Sequence, residues 1–281
     1  MTLVPSSTPF SQFRLLTFDI YGTLIDQETG IVTALLSSPH ISKLPSSHPF
    51  KSSRSELLNA FKKHEHPIQK SHPTLLYKDV LARTYKRLVE DLISTSDTAL
   101  GDEPLDAAAE QFGASIKDWQ AFPDTVPALK SLAKHFKLAP LSNIDNASLK
   151  LTLENGLAGA SFDTLYTAED IGSYKPDLRN FEYLIKHAGE DFAEDFGIGK
   201  GDSDEVMREK VKGQLLHVAM ALFHDHVPAK ALKLESVWVD REVNILGRTM
   251  EGEDIKEKAS FGWHVHSLGE LAAMVEEQLA K

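Results

Sequence analysis

The sequence contains no cysteine among its 281 residues. Disulfides, thiolate zinc sites, iron–sulfur clusters and cysteine nucleophiles are excluded together. Basic residues are in deficit: 30 Lys+Arg against 41 Asp+Glu leave a net charge of −11 with His neutral. A surplus of acid on that scale repels nucleic acid and anionic membrane surfaces. Long apolar runs are missing too, since nothing approaches the roughly 18 consecutive residues that cross a bilayer. The start, MTLVPSSTPFSQ, lacks the basic flank and apolar stretch of a secretion signal. These absences lead us to expect a soluble, cytoplasmic protein whose partners include neither nucleic acid nor membrane. At roughly 150 residues per domain, the length is just under two domains.

What is present reads as α/β. Phe13 to Ile20 (FRLLTFDI) is a short apolar run that stops at Asp19-Ile20-Tyr21-Gly22-Thr23, the signature of a buried parallel strand ending in a turn. Alternating strand and helix patterns resume after Pro123. Strands are expected at Leu138 to Leu141, Asp163 to Tyr166, Leu215 to Met220 and Ser236 to Asp240. Helices are expected at 126–135, 147–154, 180–187, 227–232 and 268–279, the last opening at a Ser267 cap. Repeated βα units imply a parallel, doubly wound sheet. Between these parts the texture is different. Arg54 to Lys63, Leu75 to Ile93 and Asp106 to Phe112 carry apolar residues at three-to-four spacing, with no strand between them. The expected organisation is therefore a Rossmann-like core from 1–25 and 120–281, with a helical insertion over 26–119. Gly197 to Glu209 is Gly- and charge-rich and reads as a surface excursion. Its GIGKGDS lacks the spacing and the Lys-Ser/Thr ending of a phosphate loop.

A carboxylate at the end of a buried strand faces the crevice where α/β folds place ligands, and it can serve as a covalent nucleophile. Asp19 holds that position. With cysteine absent, an oxygen or nitrogen nucleophile is required, and Asp19 supplies one. Four segments then occur in order at strand or loop ends: LTFDIYGTLID over 16–26, Ser142-Asn143, Tyr174-Lys175-Pro176-Asp177, and Asp225 within His224-Asp225-His226.

This ordered set resembles the haloacid dehalogenase-like hydrolase superfamily over roughly 13–25 and 120–270, with the helical insertion in the position of that superfamily's cap. The resemblance implies an α/β, three-layer Rossmann-like core and an Asp19 nucleophile. Phosphatases of the superfamily carry a second Asp two residues on, beside a magnesium site. Here that place holds Tyr21, and DxYGTLxD resembles the type II 2-haloacid dehalogenase branch, which attacks carbon and uses no metal or other cofactor. The implied reaction converts a small carboxylate-bearing 2-haloacid to a 2-hydroxyacid through an aspartyl ester, and a homodimer is compatible with it. Thr23 and Ser142 can hydrogen-bond the Asp19 carboxylate, Lys175 keeps it ionised, and Asp225 activates water. Asn143 is implied in a halide cradle, with Tyr21 beside the substrate. Arg54, four residues before Leu58, resembles a cap Arg-x-x-x-Leu element and would pair with the substrate carboxylate.

The departures are also specific. The family's small polar groups before the fourth acid are replaced by Met220 and Leu222, its aromatic pocket wall by His224, and a Tyr six residues after the Lys by Phe181. His224 could donate a proton to a poorer leaving group, as opening of an azetidine-2-carboxylate ring would need. A phosphatase acting on a small ester and a non-catalytic binding protein on the same scaffold are further alternatives. His217, inside a strand, reads as structural.

Overall fold

The computed structural model describes residues 2–95, 103–241, 246 and 258–281. Six parallel strands form the central sheet in the order β4-β3-β2-β5-β6-β8. They are β2 (Leu15–Phe18), β3 (Lys137–Ser142), β4 (Tyr166–Thr167), β5 (Leu215–Ala219), β6 (Glu235–Val239) and β8 (Trp263–Val265). The remaining two, β1 (Thr2–Leu3) and β7 (Ser260–Phe261), pair separately. Alternation along β2 sends Leu16 and Phe18 to the core beneath the helical insertion. Leu15 goes to the opposite core with Phe181 and Leu184. Both faces are buried, which is why β2 reads as an apolar run interrupted only by Thr17.

Among the described residues, the elements between β2 and β3 are all helices. The two longest helices, Arg54–Ser71 and Tyr77–Thr95, bury Phe61, Leu81, Tyr85 and Leu88. Each large apolar side chain removed from water contributes about 1.5–3 kcal/mol. The first of these helices runs eight residues beyond the expected end at Lys63 and continues through Pro67.

Two expectations change. The strand expected at Asp163 to Tyr166 is only Tyr166–Thr167, because the Asp163 carboxylate accepts the Leu138 amide at 2.9 Å and turns the chain there. The excursion at Gly197 to Glu209 contains the start of a helix, Asp204–Lys212, whose N-terminus is capped by the Ser203 hydroxyl.

Candidate active site

The carboxyl ends of β2, β3 and β5 meet at one crevice. Beyond β2 the chain turns tightly: the amides of Leu24 and Ile25 both reach the Ile20 carbonyl, at 2.8 and 2.9 Å. Gly22 sits at φ 89°, in the left-handed region that a side chain disfavours. This turn brings the Thr23 hydroxyl back to donate to Asp19 Oδ2 at 2.8 Å. The same hydroxyl accepts the Met220 amide at 2.9 Å, which fixes its direction. Arg241 secures the turn from behind, donating to the Thr23 carbonyl at 3.0 Å and pairing with Asp124 at 2.7 Å.

Lys175 arrives from the loop before the helix Leu178–Asp191, and its peptide bond to Pro176 is cis. Its ammonium donates to Asp19 Oδ1 at 2.9 Å, to Asp225 Oδ1 at 2.6 Å and to the Leu141 carbonyl at 2.8 Å. All three of its protons are therefore committed within the protein. Asn143 clasps the Lys175 main chain from both sides, donating to its carbonyl at 3.0 Å and accepting its amide at 2.6 Å. Asn143, implied in a halide cradle by the sequence, also lines the cavity, and these bonds hold the Lys175 main chain in place.

Asp225 lies in a single wide turn, Leu222–His226, after β5. It is fully buried, and its Oδ1 also meets His217 Nε2 at 2.9 Å. His217 Nδ1 contacts the Thr17 hydroxyl at 2.8 Å, while Phe181 packs edge-on against its ring at 5.1 Å. Thr17 and His217 occupy facing positions on β2 and β5. His217 is thus part of the site, which reading it as structural missed. The available signal was a pair of polar residues at matching depth in two otherwise apolar strands. Phe181, a departure from the family pattern, provides the wall that holds this ring.

Burial raises the Asp19 carboxyl above its ordinary value, with the Asp225 charge adding to that and Lys175 and Thr23 opposing it. Asp225 is buried as well, but Lys175 and His217 together hold it below the ordinary value. The two carboxylates share one ammonium and form a coupled unit with a net negative charge.

A small cavity of about 90 Å³ opens on this cluster. From the core it is lined by Asp19, Tyr21, Ser142, Asn143, Lys175 and His224, with Asp225 and Met220. The helical insertion contributes Gln27, Glu65, Gln69 and Tyr77, none of which was singled out from the sequence. Tyr21 bonds Thr152 at 2.7 Å through its hydroxyl and packs edge-on against Trp119 at 5.7 Å. Tyr77 accepts from Gln27 at 2.9 Å and donates to Glu65 Oε1 at 2.6 Å. Ser142 Oγ and Asp225 Oδ2 are buried without a partner.

Three expectations are corrected. Arg54 does not line the cavity; its guanidinium faces Glu28 at 3.7 Å and Thr29 at 3.3 Å, so a charge already inside the protein draws it away from any substrate. Ser142 lines the cavity without bonding Asp19. His224 lines it too, but burial holds its pKa down to about 4, so at neutral pH it has no imidazolium proton to give. The water-positioning groups missing at Met220 and Leu222 are not restored by those side chains: Met220 contributes its amide to Thr23, and Leu222 packs in an apolar cluster with Trp238.

A magnesium ion of the kind phosphatases use fits this cluster poorly. Magnesium takes octahedral oxygen coordination, usually from one or two carboxylates with free lone pairs, completed by waters and substrate oxygens. Here an ammonium already bridges Asp19 and Asp225. Among the described residues, the one group of three close metal-capable side chains is Asp240, His264 and His266, outside this cavity.

A doubly wound parallel sheet of this order, with a carboxylate, a lysine and a second acid gathered at its carboxyl edge, defines an α/β protein with a charged crevice at its strand ends. The family model for haloacid dehalogenase-like hydrolases matches residues 13–220, and the chain belongs to that family. Its structure is similar to the L-2-haloacid dehalogenase from Xanthobacter autotrophicus, with a TM-score of 0.66 and 16% identity, covering 94% of this chain and 98% of that one. A defluorinating L-2-haloacid dehalogenase gives a TM-score of 0.65 at 18% identity, covering 97% and 100%. A HAD-hydrolase from Bacillus subtilis bound to magnesium gives 0.61 at 15%, covering 94% and 99%. At these identities the likeness concerns the fold. No curated protein matches the sequence. No described helix is long and apolar enough to cross a membrane.

Proposed function

We propose that this protein is a hydrolase of the 2-haloacid dehalogenase type, displacing a leaving group from carbon through an ester on Asp19. The observation that carries this reading is the setting of Asp19. Thr23 and Lys175 aim it into a small cavity, while the residue two positions on is Tyr21, tied to Thr152, and not a carboxylic acid that could protonate an alkoxide during the first displacement. A halide departs with the bonding electron pair and needs no proton. Dehalogenases of similar fold add weight to this choice.

In the first step an Asp19 oxygen attacks the carbon opposite the halide, forming a C–O bond as the C–halide bond breaks. Lys175 remains beside the ester and stabilises the oxyanion that forms when water adds to its carbonyl carbon. Asp225 Oδ2, buried and unpartnered, receives the proton of that water. The addition product collapses, Asp225 returns that proton to the departing oxygen, the product leaves as an alcohol carrying a former Asp19 oxygen, and Asp19 keeps the oxygen of water and releases a proton. The sum is halide plus water giving alcohol, halide ion and a proton. His217 and Thr17 hold Asp225 in place, and Asn143 holds Lys175.

Single turnover in heavy-oxygen water is expected to label Asp19 and leave the first product unlabelled, and Asp19→Asn is expected to abolish turnover. Label in the product with none in Asp19 would overturn the covalent route. The carboxylate expected on the substrate has no guanidinium to meet it among the described cavity residues, which raises the question of what the substrate carries instead.

A further inference from the structure

The charges and open valences of the cavity point to a substrate unlike a simple haloacid. Three carboxyl groups line it, Asp19, Glu65 and Asp225, against the single ammonium of Lys175. That ammonium has no proton left for a ligand, since Asp19, Asp225 and Leu141 take all three. Two atoms at the cavity lack partners: Asp225 Oδ2, an acceptor, and Ser142 Oγ, an acceptor and donor. Glu65 Oε1 accepts from Tyr77, and among the described residues no group donates to its second carboxyl oxygen. Asp225 Oδ2 is accounted for by the water of the proposed reaction. The Glu65 oxygen is not.

Among the described residues, an anion entering this space would meet carboxylates and no uncommitted cation, a costly burial. A group rich in N–H donors would complete the set. We propose that Glu65 is a specificity-determining residue which receives a protonated amine, so that the substrate is a small organohalide bearing an ammonium group. This rests on the displacement reading above for its chemistry and on the cavity alone for its recognition group. Other charged groups near Glu65 are consistent with it. Burial raises the Glu65 carboxyl, while the Tyr77 hydroxyl and Lys62, one turn earlier on the same helix, pull it back towards ionisation. His224, facing the cavity from the core, is neutral at pH 7.

The test compares chloride release from three compounds of similar size: 2-chloroethylamine, neutral 2-chloroethanol and anionic chloroacetate, with Asp19→Asn as background. The amine is expected to exceed chloroacetate in kcat/KM by about tenfold or more, the scale of one charge-assisted hydrogen bond. Glu65→Gln, which keeps the shape and the Tyr77 contact, should remove that preference, read as the amine-to-chloroacetate ratio of kcat/KM. Chloroacetate favoured over the amine, or a preference unmoved by Glu65→Gln, would overturn the proposal. If no compound is turned over, the displacement chemistry fails, and an NMR titration with ethylammonium and acetate decides the recognition group separately. Binding of ethylammonium that Glu65→Gln abolishes would support it; binding of acetate alone would refute it.

Discussion

At the scale of single residues, the site depends on one ammonium shared by two acids. Lys175→Met removes the charge that opposes the raised pKa of Asp19. The nucleophile works ionised, so the acid limb of kcat/KM in this variant is expected to lie at higher pH than in the wild type. A pH profile on any turned-over substrate checks this, and an unmoved limb would separate Lys175 from the ionisation of Asp19. His217 acts through Asp225. His217→Ala should lower kcat by about tenfold or more with little change in KM, and cost about 1–3 kcal/mol of stability by stripping a buried carboxylate of a partner. His217→Gln can return an N–H to Asp225 and is expected to recover part of the loss in kcat, a recovery that packing alone would not produce. Asp19, Thr23, Lys175 and Asp225 were legible from their types and order. Glu65, Gln69 and Tyr77 were not, because one apolar stripe on a helix does not tell which flanking polar residues meet a cavity in another part of the fold.

The elements were legible where a single period rules. β2, β3, β5 and β6 are buried on both faces, so their sequences are mostly apolar between turns. Asp163 illustrates a failure of that approach: its side chain satisfies the amide of Leu138, from another segment, and no local pattern announces such a bond. The helical insertion is keyed to the core at Gly30, on the helix Gln27–Ser37. A Cβ there would lie 2.4 Å from Cγ of Trp119, whose ring packs against Tyr21. Gly30→Ala is a favourable change for a helix interior by propensity, worth up to about 1 kcal/mol. The overlap is expected to reverse the sign and destabilise by about 1–3 kcal/mol. Urea denaturation measures it, and a stabilised variant would mean that Trp119 moves aside at little cost.

For the molecule as a whole, acid is the expected weakness. His226 is fully buried, bonding the Ala219 carbonyl at 2.9 Å and Ser236 at 3.0 Å, and burial lowers its pKa from 6.5 to about 4. The unfolded chain therefore binds a proton that the folded chain refuses. The associated stability is complete above about pH 6.5 and is lost as pH falls towards 4, about 3 kcal/mol in all. Unfolding free energies measured across that range should decline, and His226→Asn should flatten this part of the decline; a slope unchanged in the variant would place the proton elsewhere.

The order of the sheet has a further consequence, in time. Asp19 and Lys175 touch across 156 residues of chain, and both belong to a centre closed by Asp225, still further along. Contacts that close such long loops form late, after local helices and turns. A refolding chain should regain helical signal first, and its catalytic cluster only when β2, β3 and β5 have been laid side by side. Activity would then report completion of folding, and truncated or stalled chains would be inert, however helical they are.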